Sequence, residues 1–313
     1  MPGKAGERDV ADRGARSKRL YRLSVAYPMG IPLALMGVAV IPRIVDILCL
    51  PLAEAWGEAF LHKALGFALV LAYVWAAGQS LRAIGLHGRG VGRAMWIGGS
   101  GIAAVFVAGF GRQWLVSRAA GAEPRLIFAA IDPQTGLGGG LPFALWLFAA
   151  NLVNSFMEEG LFRGIMLSHF RVRLTPWKAN LLQAALFGLW HLAWPTQRLL
   201  TGQVDLATAA SQAATVVLGS TISGLAYGTL YLQTDSLWAP WLAHTINNSI
   251  FNLVHIRTVE GLDADVGVLY GVIAVGYLAL LLWTRAWARR WQMRQVRPCD
   301  VAEGGELTWM ERQ

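Results

Sequence analysis

Two adjacent glutamates followed by an arginine stand inside a long apolar stretch of this sequence. Glu158, Glu159 and Arg163 lie in an apolar run that begins near Leu141. Ionisable side chains are costly inside a membrane, so those that occur there usually serve a function. On a helix, Glu159 and Arg163 can pair because they are four residues apart, whereas Glu158 points about 100° away. The spacing therefore predicts a paired Glu159 and a Glu158 that is available for chemistry.

Two later apolar runs each carry a histidine. His191 occurs in Phe187-x-x-x-His191, and His244 is followed one helical turn later by Asn248. At about 1.5 Å per residue, these side chains and Glu158 lie roughly 12–22 Å from the expected cytoplasmic helix ends, so we expect them to meet in one layer. Structural alternatives exist: an ion-pair lock for the glutamates, packing for His191, and a hydrogen-bonded seam between helices for His244 and Asn248.

This set of groups is suited to hydrolysis. In one scheme Glu158 takes a proton from water and His191 holds that water or protonates the leaving amine, while His244 and Asn248 donate hydrogen bonds to the oxyanion. In the other, Zn²⁺ activates the water and is bound by His191 and His244 with Glu158 or Glu159. The sequence has no His-Glu-x-x-His helix, which favours the scheme without a metal or other cofactor.

The composition indicates a membrane setting. The chain has 313 residues, of which 55% are hydrophobic and 15% charged, against about 25% charged in soluble domains. We predict an all-α, polytopic membrane protein with about eight transmembrane helices around an intramembrane polar cavity. The apolar runs fall at roughly 23–50, 59–84, 94–117, 141–168, 177–195, 207–233, 236–256 and 264–289, with prolines kinking the first and a loop at 118–140.

The sequence divides into a basic N-terminal tail at 1–22, a membrane domain at 23–290 with its motif-bearing core at 141–256, and a C-terminal tail at 291–313. Lys and Arg concentrate in alternate loops, so the positive-inside rule predicts that both termini are cytoplasmic. The first apolar run is too long for a cleaved signal peptide, which favours a retained helix in an inner or plasma membrane. The net charge of +8 comes without a groove-reading motif, so we expect no nucleic-acid partner.

Taken together, the polar motifs resemble one family of membrane proteases. In chain order they are Glu158-Glu159-x-x-x-Arg163, Phe187-x-x-x-His191 and His244-x-x-x-Asn248. This combination resembles the CPBP family, the CAAX prenyl protease and bacteriocin-processing (Rce1-like, or Abi) intramembrane endopeptidases, over about residues 141–256. The resemblance implies an eight-helix fold with a water-filled cavity and cleavage of a peptide bond in a membrane-associated protein or peptide.

The resemblance also implies roles for individual residues. Glu158 matches the water-activating glutamate, and the other site residues are Glu159, Arg163, His191, His244 and Asn248. It leaves open whether the mechanism is of the glutamate type or depends on a metal held by Glu158, His191 and His244. Bacterial members suggest the inner cell membrane as the location.

Two other functional classes compete with a protease. One is a non-catalytic transporter, or a binding or scaffold protein with a buried polar seam. Transporters often consist of two related halves, and this sequence shows none. The other is an intramembrane transferase that uses the same carboxylates on a lipid.

Overall fold

The computed structural model describes residues 19–50 and 52–293. Most of the two predicted tails, 1–22 and 291–313, therefore lies outside the described residues. The described part is 75% helical.

The helices follow the predicted apolar runs closely. In chain order they are α1 (Gly30–Ile44, continued by a π-helical turn, Val45–Cys49), α2 (Leu52–Trp56), α3 (Leu61–Ala76), α4 (Val91–Ala119), α5 (Leu141–Glu159, continued by π-helical Gly160–Leu167 and a last turn, Ser168–Phe170), α6 (Pro176–Trp190), α7 (Ala193–Leu200), α8 (Leu206–Thr234), α9 (Trp238–Leu253) and α10 (Val266–Arg290). A 3₁₀ turn at Leu81–Ile84 lies between α3 and α4.

Four of these helices are long and apolar enough to cross a membrane. They are α1 with its π-helical turn, α4, α8 and α10, while α3 is apolar but shorter. Such helices are characteristic of an integral membrane protein. Each of the eight predicted runs contains a helix of the structure, but the count of about eight spanning helices stays a prediction.

The run at 177–195 is divided, and the prediction of one continuous helix is wrong there. Helix α6 ends at Trp190 and α7 begins at Ala193. The amides of His191 and Leu192 bond to carbonyls only three residues back, which tightens the last turn of α6. Pro195, which has no amide hydrogen, falls in the first turn of α7, where none is needed. His191 is therefore at the end of a helix.

Short strands add to the predicted all-helical fold. Strand β1 (Arg125–Phe128) pairs antiparallel with β4 (Val254–Thr258), which pairs with β5 (Gly261–Leu262), and β2 (Ala130–Ile131) pairs with β3 (Gly138–Gly139). The segment 118–140, predicted as a loop, thus contains three strands. Its partner β4 is more than a hundred residues away, so no local pattern reveals the pairing. These strands adjoin the start of α5 and the end of α9.

The helices pack in two apolar groups, and the polar motifs lie where the groups meet. One group is formed mainly by α1, α3, α5 and α6, and the other by α4, α8, α9 and α10. Helices α6 and α8 approach closely because glycines face the partner helix. A Cβ on Gly188 would lie 2.6 Å from the carbonyl oxygen of Val217, and one on Gly228 would lie 1.8 Å from Asn180 Oδ1. Small residues commonly permit such contacts between membrane helices.

Candidate active site

Glu159 and Arg163 form a buried ion pair on α5 and its π-helical extension. Arg163 Nη1 donates to Glu159 Oε1 at 3.0 Å, and Nη2 donates to the backbone carbonyl of Gly224 on α8 at 3.2 Å. The guanidinium carbon also lies 4.3 Å from the centre of the Phe187 ring, a cation–π contact. The pair predicted from the four-residue spacing is present, and Arg163 connects α5 to α6 and α8.

His244 on α9 is oriented by Glu159. Its Nδ1 lies 2.7 Å from Glu159 Oε1, the oxygen that also accepts from Arg163. An ionised carboxylate only accepts, so Nδ1 carries a proton and donates it. The Tyr227 ring stacks on the imidazole, with ring centres 5.1 Å apart and planes at 22°. These contacts leave His244 Nε2 facing Glu158 Oε2, at 3.6 Å.

Glu158 has one carboxylate oxygen held and one free of hydrogen bonds. Trp190 Nε1 donates to Oε1 at 2.9 Å, and Arg43 Nη1 of α1 lies 3.9 Å from the same oxygen. The other oxygen, Oε2, is buried and has no hydrogen-bond partner in the described part of the chain. Buried carboxylate oxygens rarely lack a donor, so an exception calls for an explanation such as a catalytic role. Glu159 Oε2 likewise has no donor among the described residues, but Glu158 Oε2 also faces a histidine nitrogen, and we therefore take it as the candidate proton acceptor.

His191, at the end of α6, is half-buried beside Glu158. Its Nδ1 donates to the backbone carbonyl of Phe187 at 2.8 Å, so in the neutral ring the lone pair is on Nε2. The ring interacts electrostatically with Glu158 but forms no hydrogen bond with it among the described residues. Phe187 contacts both histidines, with ring centres 4.8 Å from His191 and 6.0 Å from His244. Phe187 therefore packs against Arg163 and both histidines.

Asn248 reaches the site through a chain of hydrogen bonds and not directly. Tyr277 OH lies 2.7 Å from Tyr227 OH and donates to Asn247 Oδ1, also at 2.7 Å. Asn247 Nδ2 then donates to Asn248 Oδ1 at 2.9 Å. Within the described residues Asn248 has no hydrogen bond to Glu158 or His244. Its carbonyl oxygen is used by Asn247, so its amide NH₂ is the group left for another partner.

A polar seam between α5 and α9 lies beside the site. Asn151 Nδ2 donates to Asn252 Oδ1 at 2.7 Å, and Asn252 Nδ2 donates to the carbonyl of Ile131 at 3.2 Å. Asn252 shares a helical face with His244 and Asn248, yet its amide is fully engaged in joining two helices to β2. The structural alternative of a hydrogen-bonded seam between helices therefore applies to Asn151 and Asn252.

Several residues around Glu158 and His244 were not among the predicted site residues. Arg43 could have been predicted as a site residue, because it is a charged residue inside the first apolar run. Trp190 and Tyr227 gave no signal, since aromatic residues in apolar helices are most often packing residues. Their positions depend on contacts between distant helices.

The zinc alternative requires that Glu158, His191 and His244 bind one metal ion. Within residues 19–50 and 52–293, no three His, Cys, Asp or Glu side chains are grouped so that they could hold a metal ion. His244 already directs one nitrogen at Glu159 and His191 directs one at a carbonyl, which leaves one nitrogen of each. One nitrogen per histidine is what a metal ligand needs, and metal-bound histidines usually have the other nitrogen held in this way. The zinc scheme with Glu158, His191 and His244 therefore stays a prediction.

Comparison with known proteins identifies the segment that carries the site. Residues 140–250 match the family model described as type II CAAX prenyl endopeptidase Rce1-like. No curated protein and no solved structure matches the chain significantly. The matched segment contains all the predicted site residues: Glu158, Glu159, Arg163, His191, His244 and Asn248. The resemblance to the CPBP family is therefore confirmed, and residues 140–250 of this membrane protein are Rce1-like.

Proposed function

We propose that this protein is an intramembrane endopeptidase that hydrolyses a peptide bond of a membrane-associated protein or peptide, with Glu158 as the base that activates water. One observation carries the proposal: Glu158 Oε1 is held by Trp190, while Oε2 is buried without a donor and faces His244 Nε2 at 3.6 Å. Glu159 Oε2 also lacks a donor among the described residues, but both partners of Glu159 hold it in an ion pair through Oε1. What distinguishes Glu158 is the histidine nitrogen that its free oxygen faces. A general base needs one oxygen fixed and the other available to the proton that it accepts.

The reaction follows from these positions. Glu158 Oε2 takes a proton from water as the water oxygen bonds to the scissile carbonyl carbon, which produces a tetrahedral oxyanion. When the carbon–nitrogen bond breaks, the leaving amine takes that proton from Glu158, directly or through His191 Nε2. The products are a carboxylic acid and an amine, which ionise to a carboxylate and an ammonium ion. A positioned general base contributes typically about 10²–10⁴-fold to the rate.

His244 and Asn248 are proposed as the donors that stabilise the oxyanion. Because His244 Nδ1 donates to Glu159, Nε2 becomes a donor only when the ring carries a second proton. The Glu159 carboxylate stabilises that imidazolium, which is the role we assign to it. Asn248 contributes its free amide NH₂. Preorganised donors of this kind are worth about 10²–10³-fold each in kcat.

We place the protein in a bacterial inner membrane with both termini in the cytoplasm. The basic residues between the apolar runs and after α10 support this orientation. A site formed by side chains of apolar helices also requires that the substrate reach it from the bilayer or its surface. The partner is therefore a membrane-associated protein or peptide.

The test is a comparison of cells that carry the native protein with cells that carry Glu158→Gln. Glutamine keeps the size of the side chain and an acceptor for Trp190 but cannot act as a base. We expect one or more membrane-associated precursors to accumulate uncleaved in the variant, and their termini in native cells map the cleaved bond. A quenched-fluorescence peptide that spans this bond then measures kcat and KM with purified enzyme.

Glu58→Gln is the matched control. Glu58 is also a buried glutamate, 2.7 Å from Lys63 Nζ, but it does not contact the site. Normal cleavage by Glu158→Gln would contradict the proposal and favour a transporter or scaffold. The zinc alternative has its own readout: the metal content of purified protein, and whether a chelator abolishes cleavage and zinc restores it.

A further inference from the structure

A second buried polar cluster adjoins Glu158 from the side of α1 and α3. It consists of Arg43 on α1, Asp46 on the π-helical turn that follows, and His62 at the start of α3; their exposed fractions are 4%, 0% and 2%. All three lie outside residues 140–250, the segment that matches the family model. Full burial of three polar side chains has a large desolvation cost, so a reason for their presence is required.

The hydrogen bonds in this cluster have a fixed direction. Arg43 Nη1 lies 2.9 Å from His62 Nε2, and His62 Nδ1 lies 2.7 Å from Asp46 Oδ2. A guanidinium has only donors, so His62 Nε2 accepts, and the ring proton is on Nδ1, which donates to Asp46. The chain therefore runs from Arg43 through His62 to Asp46. A side chain that is oriented by a second side chain, which a third orients in turn, is a recurring arrangement at catalytic sites.

Arg43 connects this chain to Glu158. Its Nε donates to the backbone carbonyl of Trp190 at 3.1 Å, and its guanidinium carbon lies 4.5 Å from the centre of the Trp190 ring. Arg43 Nη1 lies 3.9 Å from Glu158 Oε1, the oxygen to which Trp190 Nε1 donates. Arg43 and Trp190 thus act together on one oxygen and leave the other untouched.

Each of the two glutamates has an arginine beside it. Glu158 and Glu159 are neighbours in the chain and both face His244. Arg163 pairs with Glu159. Arg43 is the cation that offsets Glu158. Without it two carboxylates would share a single arginine, and like charges so close in an apolar interior repel strongly.

We propose that Asp46, His62 and Arg43 are a positioning unit for Glu158, which fixes Oε1 so that Oε2 faces the water to be activated. The inference rests on the proposed function and deepens it. It gives α1 and α3 a part in catalysis that the Rce1-like segment alone does not supply.

A purely structural role makes a different prediction. Asp46 Oδ2 also accepts from the backbone amide of His62 at 2.9 Å, at the first turn of α3, so variants of this cluster are expected to lose stability in either case. A positioning unit affects kcat more than KM, and a small guanidinium ion that enters the space left by Arg43→Ala restores part of the activity. Loss of packing alone gives neither result.

The experiment uses the purified full-length chain and the peptide that spans the mapped cleavage site. We expect Arg43→Ala to lower kcat about 100-fold, the effect of roughly 1 Å of misplacement, with KM changed by no more than about twofold. Added guanidinium chloride should recover at least about tenfold of this loss, and Arg43→Lys should retain more activity than Arg43→Ala. Lys63→Gln is the control, because it removes a buried cation next to His62 that pairs with Glu58 instead.

Combining substitutions tests whether the three residues act as one unit. His62→Gln in the Arg43→Ala background should cause little further loss of kcat, since residues that act together are not additive. Unchanged kcat in Arg43→Ala, or a loss that guanidinium does not reverse, would overturn the inference. If Arg43→Ala does not accumulate, the same comparison with Arg43→Gln decides. Cleavage by Glu158→Gln would instead contradict the proposed function, so the two failures are distinguishable.

Discussion

Replacing Glu159 by glutamine separates the two adjacent glutamates. Glu159 Oε1 accepts from His244 Nδ1 at 2.7 Å and from Arg163 Nη1 at 3.0 Å. Glutamine can still accept through its amide oxygen, but both bonds lose the negative charge of the acceptor. Hydrogen bonds to charged groups are worth about 1.5–3 kcal/mol and neutral ones about 0.5–1.5, so we expect the bond to His244 to weaken by about 1–1.5 kcal/mol.

This loss affects rate and stability through different partners. The weakened bond to His244 is needed when the ring carries its second proton, so kcat should fall about 5- to 15-fold, because 1.4 kcal/mol corresponds to tenfold. Arg163 is left in the interior without an anion, and an unpaired buried charge costs about 3–5 kcal/mol of unfolding free energy. A lowered kcat and a lowered unfolding temperature are both expected.

The double variant Glu159→Gln, Arg163→Met distinguishes the two effects. It removes both charges, so most of the stability should return, while kcat stays low because His244 still lacks its carboxylate. The assays are cleavage of the mapped peptide and thermal unfolding in detergent, with Glu58→Gln as the control for loss of a buried pair. If the double variant regains full kcat, Glu159 does not orient His244 and the reasoning fails.

Three further results are expected. Asn248→Ala should lower kcat about 10²–10³-fold with little change in unfolding temperature; an unchanged kcat would remove Asn248 from the oxyanion site. Gly228→Ala should lower the free energy of unfolding by about 1–3 kcal/mol, because its Cβ would collide with Asn180 Oδ1 of α6. Gly219→Ala on the same helix is the control, because its Cβ would have no atom within 4 Å. Equal unfolding temperatures of the two variants would contradict this prediction. The hydrogen bond to Asp263 raises the pKa of His255. The stability that this bond provides is therefore complete below about pH 6.5 and is lost as the pH rises through the raised pKa. The difference in unfolding temperature between the native protein and His255→Asn should be larger at pH 6 than at pH 8.

The parts of the site that depend on one helix could be predicted. The Glu159–Arg163 pair follows from helical periodicity, and the apolar runs locate the helices that carry the motifs. Local chemistry also explains the division near His191, since Pro195 falls in the first turn of the next helix.

The parts that depend on contacts between distant helices could not be predicted. His244 was expected near Glu158 and does face it, but its hydrogen bond is to Glu159, 85 positions away in the chain. Depth along a helix places two residues in one layer and does not say which side chains touch. The pairing of β1 with β4 could not be predicted for the same reason, because neither strand carries a local pattern that identifies its partner.

The environment of Glu158 shows why two identical neighbours can have different roles. Adjacent residues on a helix diverge by about 100°. Both glutamates face His244 on α9, but Glu158 also lies beside α1 and the end of α6. Glu159 has Arg163 and His244 on one oxygen and is thereby committed to holding them. Glu158 receives its donor and its arginine on Oε1 alone, from Trp190 and Arg43. Residues 140–250 therefore supply the carboxylate and the donor that holds Oε1, whereas α1 supplies the arginine beside that oxygen.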